Sequence, residues 1–492
     1  MHLLSFLLAL VCCLSCSHGR SELDMLRVAF SNVEKDTIDG EVSLESGEIP
    51  HWLNGTFIRH SCGVFGETES DLNSPLVNYV DHLFDCLEMG TSFKFEDGKV
   101  SFYNRYYDTN HVDIFNAYNQ NRNESKVFWK TILAELDVEQ NTNLRENITA
   151  GPKEAMIDHV TWWRIGDRVA AYSEGAKGFL MDIHNVEYNG RTDNKDTIMG
   201  YPMGTMFVSN PAHPHIDPDD TVWSACLTYV PVGPSGVYSS RYTIYTIVDE
   251  TRSVVGEITL GEVDLSVCAG DGESYLDLDH RQGYMHSFAM TENYIILPTS
   301  AYLYDPCVVS ENYRPELPFF KASFKWYDEH DSILYVVRRS DGQLVASIPT
   351  TAFFVIHQLN AYEQDGSIYV DTLLYANADL YTYNMHLEQI FEDIPYETYV
   401  ERFTIDMEDW TLVSRTQLRN PAPAALEMSN INHEYYNGKP YEWASMAENI
   451  FEKRFLIILD ARSMEVIAHV TAPDLALAGL HNNFFPAHVG HG

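Results

Sequence analysis

The chain has little positive charge and no long apolar run after its first residues. Among its 492 residues, 32 Lys and Arg stand against 71 Asp and Glu, so the net charge is −39. Phosphate-binding surfaces need clustered basic residues, so we expect no nucleic acid partner. Anionic lipid also attracts basic rather than acidic segments. Beyond residues 3–14 no stretch is apolar enough to cross a bilayer. An apolar fraction of 45% is nevertheless that of a globular protein.

Cysteine is also scarce. The chain has 8 cysteines, of which three lie in the first twenty residues. The others are Cys62, Cys86, Cys226, Cys268 and Cys307. They show no Cys-x-x-Cys spacing, which argues against a zinc clip, and they are too few for a disulfide scaffold. One or two bridges are compatible with five cysteines, and the odd number leaves at least one thiol free or paired between chains.

The first nineteen residues have the pattern of a secretory signal. An apolar run over residues 3–14 is followed by small residues, and it is too short to span a membrane. Sequons of the form Asn-x-Ser/Thr, which are compatible with the secretory route, occur at Asn54, Asn123 and Asn147. We predict that residues 1–19 are a signal peptide and that the protein is secreted or enters the lumen of the secretory pathway. No Pro/Ser-rich linker divides residues 20–492, which favours a single large domain.

Pairs of short apolar runs joined by three to six polar residues recur along the chain. This is the pattern of a β-hairpin. The repeats lie at residues 92–107, 242–260, 333–348, 399–418 and 455–470. Such a density of hairpins favours an all-β fold, and their uneven spacing favours a β-propeller with insertions over a solenoid. One helical insertion is expected over residues 376–391.

Four histidines in four separate phrases suggest a metal centre. They are His213 in Asn-Pro-Ala-His-Pro-His, His286 in Tyr-Met-His-Ser-Phe, His357 in Val-Ile-His-Gln-Leu, and His481 in Gly-Leu-His-Asn-Asn. Neutral imidazole is a ligand that suits Fe, Zn, Cu or Ni. Histidines so far apart in sequence form one site only where the fold brings distant strands to a common point.

These phrases belong to a longer series that resembles the carotenoid cleavage oxygenase family, which includes carotene dioxygenases and the retinoid isomerohydrolase of the visual cycle. The resemblance runs from about residue 50 to residue 486. In chain order the matching phrases are Trp-Leu-Asn-Gly-Thr-Phe-Ile-Arg at 52–59, His-Leu-Phe-Asp at 82–85, Gly-Lys-Val and Asn-Arg-Tyr within 98–106, and the four histidine phrases. It implies an all-β, seven-bladed β-propeller with helical and loop insertions that form a cap over the axis.

The resemblance also implies the chemistry. His213, His286, His357 and His481 are expected to hold one Fe(II) per subunit on the axis, where O₂ cleaves a C=C bond of a hydrophobic polyene to aldehyde or ketone products. The family's glutamates that accept the second N–H of the imidazoles correspond to Glu174 and Glu427, and this contact orients the rings. Aromatic residues expected to line the substrate tunnel are Phe84, Phe207 and Phe288.

The chain departs from the family pattern in three places. After Gly-Lys-Pro-Tyr at 438–441 it reaches its last hairpin almost at once, so that the stretch between His357 and His481 is short by roughly 40 residues or more on the usual blade length. We therefore expect the propeller to be incomplete near the C-terminus or to close differently. The family's third glutamate phrase is missing, and so is the membrane-facing Pro-Asp-Pro-Cys-Lys phrase, which weakens the case for membrane contact.

Three other functions remain open at this point. The shortened stretch suggests a non-catalytic secreted protein that binds a carotenoid or retinoid, and one branch of the family suggests a retinoid isomerohydrolase. The acidic composition alone suggests an extracellular acid hydrolase, but no motif supports it. We expect histidines other than these four, such as His82, His215, His280 and His433, to be surface residues or hydrogen-bonded core residues.

Overall fold

The computed structural model describes a large part of the chain, which is almost entirely β-structure. The described residues are 7–9, 32–33, 35–65, 86–107, 160–165, 168–172, 174, 178–191, 201–232, 236–249, 251–268, 277–309, 323–385, 398–418, 426–431, 436–441, 445–448, 455–459, 466–472 and 479–487. The helices within these residues are short: three 3₁₀ turns at Leu265–Val267, Leu278–His280 and Pro306–Val309, and a π-turn at Leu380–Asn384. The π-turn lies inside the stretch predicted to be helical.

The described strands are numbered in chain order. The first ten are β1 (Leu7–Ala9), β2 (Thr37–Gly40), β3 (Ser43–Gly47), β4 (Gly55–Val64), β5 (Leu87–Glu96), β6 (Lys99–Tyr106), β7 (Thr161–Ile165), β8 (Arg168–Tyr172), β9 (Gly178–Asp182) and β10 (Glu187–Arg191). The next ten are β11 (Met206–Ser209), β12 (His215–Ile216), β13 (Val222–Pro231), β14 (Val237–Val248), β15 (Thr251–Asp264), β16 (Ala289–Met290), β17 (Tyr294–Thr299), β18 (Tyr302–Tyr304), β19 (Phe324–Trp326) and β20 (Ser332–Arg338). The last ten are β21 (Leu344–Thr350), β22 (Phe354–Gln364), β23 (Ser367–Tyr375), β24 (Thr398–Asp406), β25 (Leu412–Gln417), β26 (Leu426–Asn430), β27 (Ser445–Glu448), β28 (Phe455–Leu459), β29 (Val466–Thr471) and β30 (Gly479–Pro486).

These strands form seven sheets, numbered here along the chain, and one separate ribbon, β18-β19. Sheet 1 has the order β2-β6-β5-β4-β30, sheet 2 β10-β9-β8-β7, sheet 3 β11-β13-β14-β15 with β12 beside β13, and sheet 4 β16-β17-β20-β21. Sheet 5 has the order β22-β23-β24-β25, sheet 6 β26-β27, and sheet 7 β1-β28-β29-β3. The all-β class predicted from the sequence is therefore confirmed.

All five hairpins predicted from the sequence are confirmed. They are the antiparallel pairs β5–β6, β14–β15, β20–β21, β24–β25 and β28–β29. At the β5–β6 turn, Asp97 and Gly98 have φ values of 51° and 74°. Two successive positive φ values are those of a type I′ turn, whose twist matches that of the strands it joins. Local sequence therefore determines where these hairpins turn.

Apolar side chains fill the spaces between successive sheets. Leu456 and Val470 of sheet 7 pack with Phe57 and Phe93 of sheet 1. Similar buried clusters join sheets 1 and 2, 2 and 3, 3 and 4, and 4 and 5. Sheets 1 to 4 thus bury side chains on both faces, which explains why strand β4 of sheet 1 is buried along its whole length.

The two ends of the described chain meet. Strand β30 pairs with β4, and β3 pairs with β29, so that sheets 1 and 7 each combine early and late strands. Between sheets 5 and 7 the described residues contain only the two strands of sheet 6. This is the region that the sequence predicts to be shortened.

Two further sequence predictions concern membranes and export. Among the described residues no helix is both long and apolar enough to cross a membrane. Strand β1 lies inside the predicted signal peptide and pairs with β28 at the edge of sheet 7. The signal peptide itself stays a prediction.

The five cysteines among the described residues form two bridges and leave one thiol. Cys62 is bonded to Cys86, and Cys268 to Cys307, while Cys226 is free and buried. Burial raises the pKa of the Cys226 thiol to about 11, so it remains protonated and unreactive at neutral pH. The number of bridges expected from the sequence is confirmed.

Both bridges are expected to stabilise the fold. They close loops with sequence separations of 24 and 39 residues, for which chain entropy alone gives roughly 3–4 kcal/mol each. Replacing either cysteine pair by serine should therefore lower the thermal unfolding midpoint. Cys226→Ala cuts no cross-link and should lower it far less. Equal midpoints for all three variants, measured by scanning calorimetry, would contradict this expectation.

Candidate metal centre

The fold brings the four predicted histidines to one place. His213 lies just before β12 in sheet 3, His286 just before β16 in sheet 4, His357 within β22 of sheet 5, and His481 within β30 of sheet 1. Four different sheets thus contribute one imidazole each. The convergence that the sequence required is a property of the fold and not of any local segment.

The ring nitrogens face one another at distances suited to a single ion. The Nε2 atom of His481 lies 3.1 Å from that of His213, 3.1 Å from that of His286 and 3.4 Å from that of His357. All four ligand atoms lie within 4.8 Å of one another. Nitrogen atoms bound at about 2.1 Å to one metal ion are roughly 3–4 Å apart. The three distances from His481 Nε2 fall in this range, so the four imidazoles form a candidate site for a single transition-metal ion.

The centre favours neutral imidazole. Burial lowers the pKa of His481 well below its ordinary value, and the neighbouring His213, His357 and His286 lower it further. An imidazole binds a metal only through an unprotonated nitrogen, so this electrostatic environment keeps His481 in its ligating form at neutral pH.

Glu174 orients one of the four rings. Its Oε1 atom lies 2.5 Å from Nδ1 of His286, which donates its proton to the carboxylate. Since Nδ1 carries that proton, the lone pair of Nε2 faces the other histidines. The backbone carbonyl of Glu174 accepts a hydrogen bond from the Asn210 N–H at 2.7 Å, and Asn210 Oδ1 accepts one from the Tyr245 hydroxyl. Glu174 is therefore held in place through both its side chain and its backbone.

Tyr284 is a member of the site that sequence reasoning missed. Its hydroxyl donates to the same Glu174 Oε1 at 2.6 Å. Burial, together with the Glu174 charge, raises the pKa of Tyr284 well above its ordinary value. The phenol therefore stays protonated and acts as the hydrogen-bond donor. Tyr284 precedes His286 by two residues, and residues two apart in extended chain share a face. That spacing was the available signal in the sequence.

Buried aromatic residues form an apolar wall beside Glu174 and His286. The Tyr284 ring lies 5.2 Å from the rings of Phe324 and Tyr381, and the same buried cluster includes Tyr302 and Phe354. The Cys268–Cys307 bridge belongs to this cluster. Such a wall excludes water and strengthens the electrostatic interactions inside the site.

The other predicted site residues are placed as follows. Glu427 lies on β26, which packs against β22, the strand of His357; its side chain is outside the described part. Phe84 also lies outside the described residues. Phe288 is buried and packs edge-on to His215, 4.8 Å between ring centroids. Phe207 is 36% exposed on β11 and packs against Tyr201. The tunnel role of these phenylalanines stays a prediction.

Two histidines other than the four candidate ligands, His215 and His280, are hydrogen-bonded, as the sequence predicts. His215 Nε2 donates to the carbonyl of Phe288 at 2.9 Å, and burial lowers its pKa. His280 Nδ1 donates to the carbonyl of Glu262 at 2.9 Å. Neither belongs to the group of four.

Comparison with known proteins assigns the family. A family model described as "Retinal pigment epithelial membrane protein" matches residues 30–450. The chain belongs to this family. This family contains the carotenoid oxygenases whose histidine phrases the chain resembles. The match ends before His481, so the place of the fourth histidine rests on its geometry.

Individual carotenoid oxygenases show the same relationship. A carotenoid isomerooxygenase of Galleria mellonella is 23% identical over 81% of this chain and 72% of its own length. A β,β-carotene 15,15′-dioxygenase of Mus musculus is 24% identical over 86% and 75%, and carotenoid cleavage dioxygenase 8 of Arabidopsis thaliana is 25% identical over 69% and 53%. This chain therefore spans only part of the length of these relatives.

Solved carotenoid oxygenase structures share the fold. A Synechocystis apocarotenoid oxygenase mutant superposes with a TM-score of 0.65 at 18% identity, covering 95% of this chain and 99% of the other. A cobalt-substituted form of the Synechocystis enzyme gives a TM-score of 0.64 at 18% identity, with the same coverage. At this identity the likeness establishes the fold.

Glu174 is expected to strengthen metal binding through His286. Glu174→Gln keeps the shape of the side chain but removes its charge, and loss of such a partner typically weakens metal binding about 10–100-fold. Tyr284→Phe leaves the carboxylate in place and should have a smaller effect. Titration of metal-free protein with Co(II) measures both.

A matched control tests whether the effect is specific. Glu363 also accepts hydrogen bonds, from the Thr291 hydroxyl and the Asn293 N–H, but it lies six residues from His357 along β22. Glu363→Gln should leave the Co(II) affinity unchanged. Equal affinities for Glu174→Gln and Glu363→Gln would contradict the role assigned to Glu174.

Proposed function

We propose that the protein is an Fe(II)-dependent dioxygenase that cleaves a C=C bond of a carotenoid or apocarotenoid to aldehyde or ketone products. The observation that carries this proposal is the meeting of His213, His286, His357 and His481 within 4.8 Å in a chain of this family. The names of the relatives supply the substrate class, a hydrophobic polyene, and the second substrate, O₂.

Four neutral imidazoles suit iron in this role. They leave the charge of Fe(II) uncompensated, and four protein ligands leave coordination positions open. A bound Fe(II) supplies the O₂ chemistry by which one C=C bond and one O₂ become two carbonyl groups, with no external reductant. The chain's own residues hold the site: Glu174 keeps the proton on His286 Nδ1, and the wall around Tyr284 excludes water.

We also propose that the sheets are the blades of a seven-bladed propeller whose sixth blade is reduced. The order of the sheet interfaces along the chain supports this, as does the pairing of β30 with β4, which joins the C-terminal strand to the first sheet. The two described strands of sheet 6 lie in the stretch that the sequence predicts to be shortened. The predicted cap corresponds in this proposal to the ribbon β18-β19 and the aromatic cluster around Tyr284.

Purified protein should contain about one iron per chain and should form aldehydes from a carotenoid under O₂. His357→Ala removes one ligand, so it should lose iron and turnover together. His280→Ala removes a histidine that bonds only to a backbone carbonyl in the described contacts, and it should retain both. Metal analysis and chromatography of the products measure the result. A wild-type protein without iron would overturn the proposal.

The same assay separates the two alternatives. A non-catalytic carrier is favoured by the reduced sheet 6; it would bind pigment in stoichiometric amounts without consuming O₂. A retinoid isomerohydrolase would turn over a retinoid ester without incorporating oxygen from ¹⁸O₂, whereas a dioxygenase incorporates it into the carbonyl products.

We further propose that the protein works in the secretory lumen or outside the cell. Two disulfides support this, because such bonds persist in oxidising compartments. The exposed side chain of Asn54, within the sequon that ends at Thr56, also supports it.

Expression in a secreting eukaryotic cell provides the test of export. The secreted protein should begin near residue 20 and carry an N-linked glycan on Asn54, as mass spectrometry before and after glycosidase treatment would reveal. Asn54→Gln should remove that glycan. A product retained in the cytosol with an intact N-terminus would contradict the proposed export.

A further inference from the structure

Ser287 lies immediately after the ligand His286 and contacts the strand of another ligand. Its hydroxyl donates to the carbonyl of Ile356 at 2.6 Å and accepts from the N–H of Gln358 at 2.9 Å. These two backbone groups stand on either side of His357. The Ser287 hydroxyl therefore forms hydrogen bonds to the backbone on both sides of His357, the ligand in sheet 5.

This contact occurs at an irregularity of β22. Val355 pairs with Leu374 and Gln358 with Thr372, so two residues of β22, one of which is His357, stand opposite one residue of β23. Such a bulge leaves backbone groups without partners in the ladder and re-aims a side chain. The Ser287 hydroxyl supplies both a donor and an acceptor to these groups. It is buried, with 4% exposure, so water does not replace it readily.

The same short segment also holds His213. The carbonyl of His286 accepts the N–H groups of Ala212 at 2.7 Å and His213 at 3.3 Å, and His213 and Ser287 form an isolated parallel bridge. The His286 carbonyl and the Ser287 hydroxyl thus connect three of the four candidate ligands, which come from three different sheets.

We infer that Ser287 is a positioning residue of the metal centre, which sets the place of the His357 imidazole relative to those of His213 and His286. This inference rests on the proposed metal centre. Unlike alanine, serine at this position forms hydrogen bonds to an N–H and a C=O of the bulge at the same time. It thereby selects one backbone conformation at His357.

The chain offers a matched control in Ser332. Its buried hydroxyl likewise bonds one backbone N–H and one backbone carbonyl, here both of Phe353, at 3.0 Å and 3.3 Å. It also accepts from the Ala301 N–H at 3.1 Å. Phe353 directly precedes β22 and is four residues from His357. Ser332→Ala therefore removes the same kind of contact near the same strand without touching a residue of the centre.

The experiment compares Ser287→Ala, Ser332→Ala and wild-type protein, all prepared without metal and titrated with Co(II). Both variants should lower the thermal unfolding midpoint of the metal-free protein. Only Ser287→Ala should weaken Co(II) binding, by about tenfold or more, and shift the visible absorption bands of bound Co(II), which report ligand geometry. Ser332→Ala should keep the wild-type affinity and spectrum.

The outcomes distinguish this inference from the proposed function. If wild-type protein binds neither Co(II) nor Fe(II), the metal centre itself is wrong. If wild-type and Ser287→Ala proteins bind Co(II) with the same affinity and spectrum, the role of Ser287 alone is wrong. If Ser287→Ala does not fold while Ser332→Ala does, Ser287 stabilises the fold as a whole and the inference is also overturned.

Discussion

The pairing of β30 with β4 is the constraint on which the centre depends. His213, His286 and His357 come from sheets that follow one another along the chain, but His481 reaches them only because the last strand joins the first sheet. Gly55 begins this contact at a φ of +147°, and a Cβ there would lie 2.3 Å from the Phe485 carbonyl oxygen. The ladder thus needs glycine at this position, and it fixes the approach of β30 and with it the place of His481.

Residues 436–441 lie in the stretch before β30 that the sequence predicts to be shortened. The Asn360 amide donates to the carbonyls of Tyr436 and Lys439, both at 2.9 Å, and so attaches this segment to the strand of His357. The Tyr441 hydroxyl donates to Asp371, a fully buried carboxylate that Arg402 also binds through two hydrogen bonds. A buried charge is tolerated when it is paired in this way. These hydrogen bonds therefore stabilise sheet 5 on the side where the described residues of sheet 6 form two strands.

The centre itself combines a rigid frame with neutral ligands. The His286 carbonyl and the Ser287 hydroxyl fix the spacing of three imidazoles, and Glu174 fixes the rotation of one ring. The surrounding residues are mostly aromatic and apolar, although the chain as a whole carries a charge of −39. The acidic residues thus contribute to solubility, while the chemistry of the site depends on a small number of placed groups.

Local features could be read from the amino-acid sequence: the five hairpins, the Asp-Gly turn and the four histidine phrases all follow from residues close together in the chain. It also indicated Glu174, but only through resemblance to a family. The tertiary structure alone decided which cysteines pair, that Tyr284 shares the carboxylate of Glu174, that Ser287 grips the strand of His357, and that β30 returns to β4. These contacts join residues that are from 24 to more than 400 positions apart. Hydrophobic periodicity and turn chemistry act over a few residues, whereas such contacts depend on how whole sheets pack, so local patterns do not specify the partners.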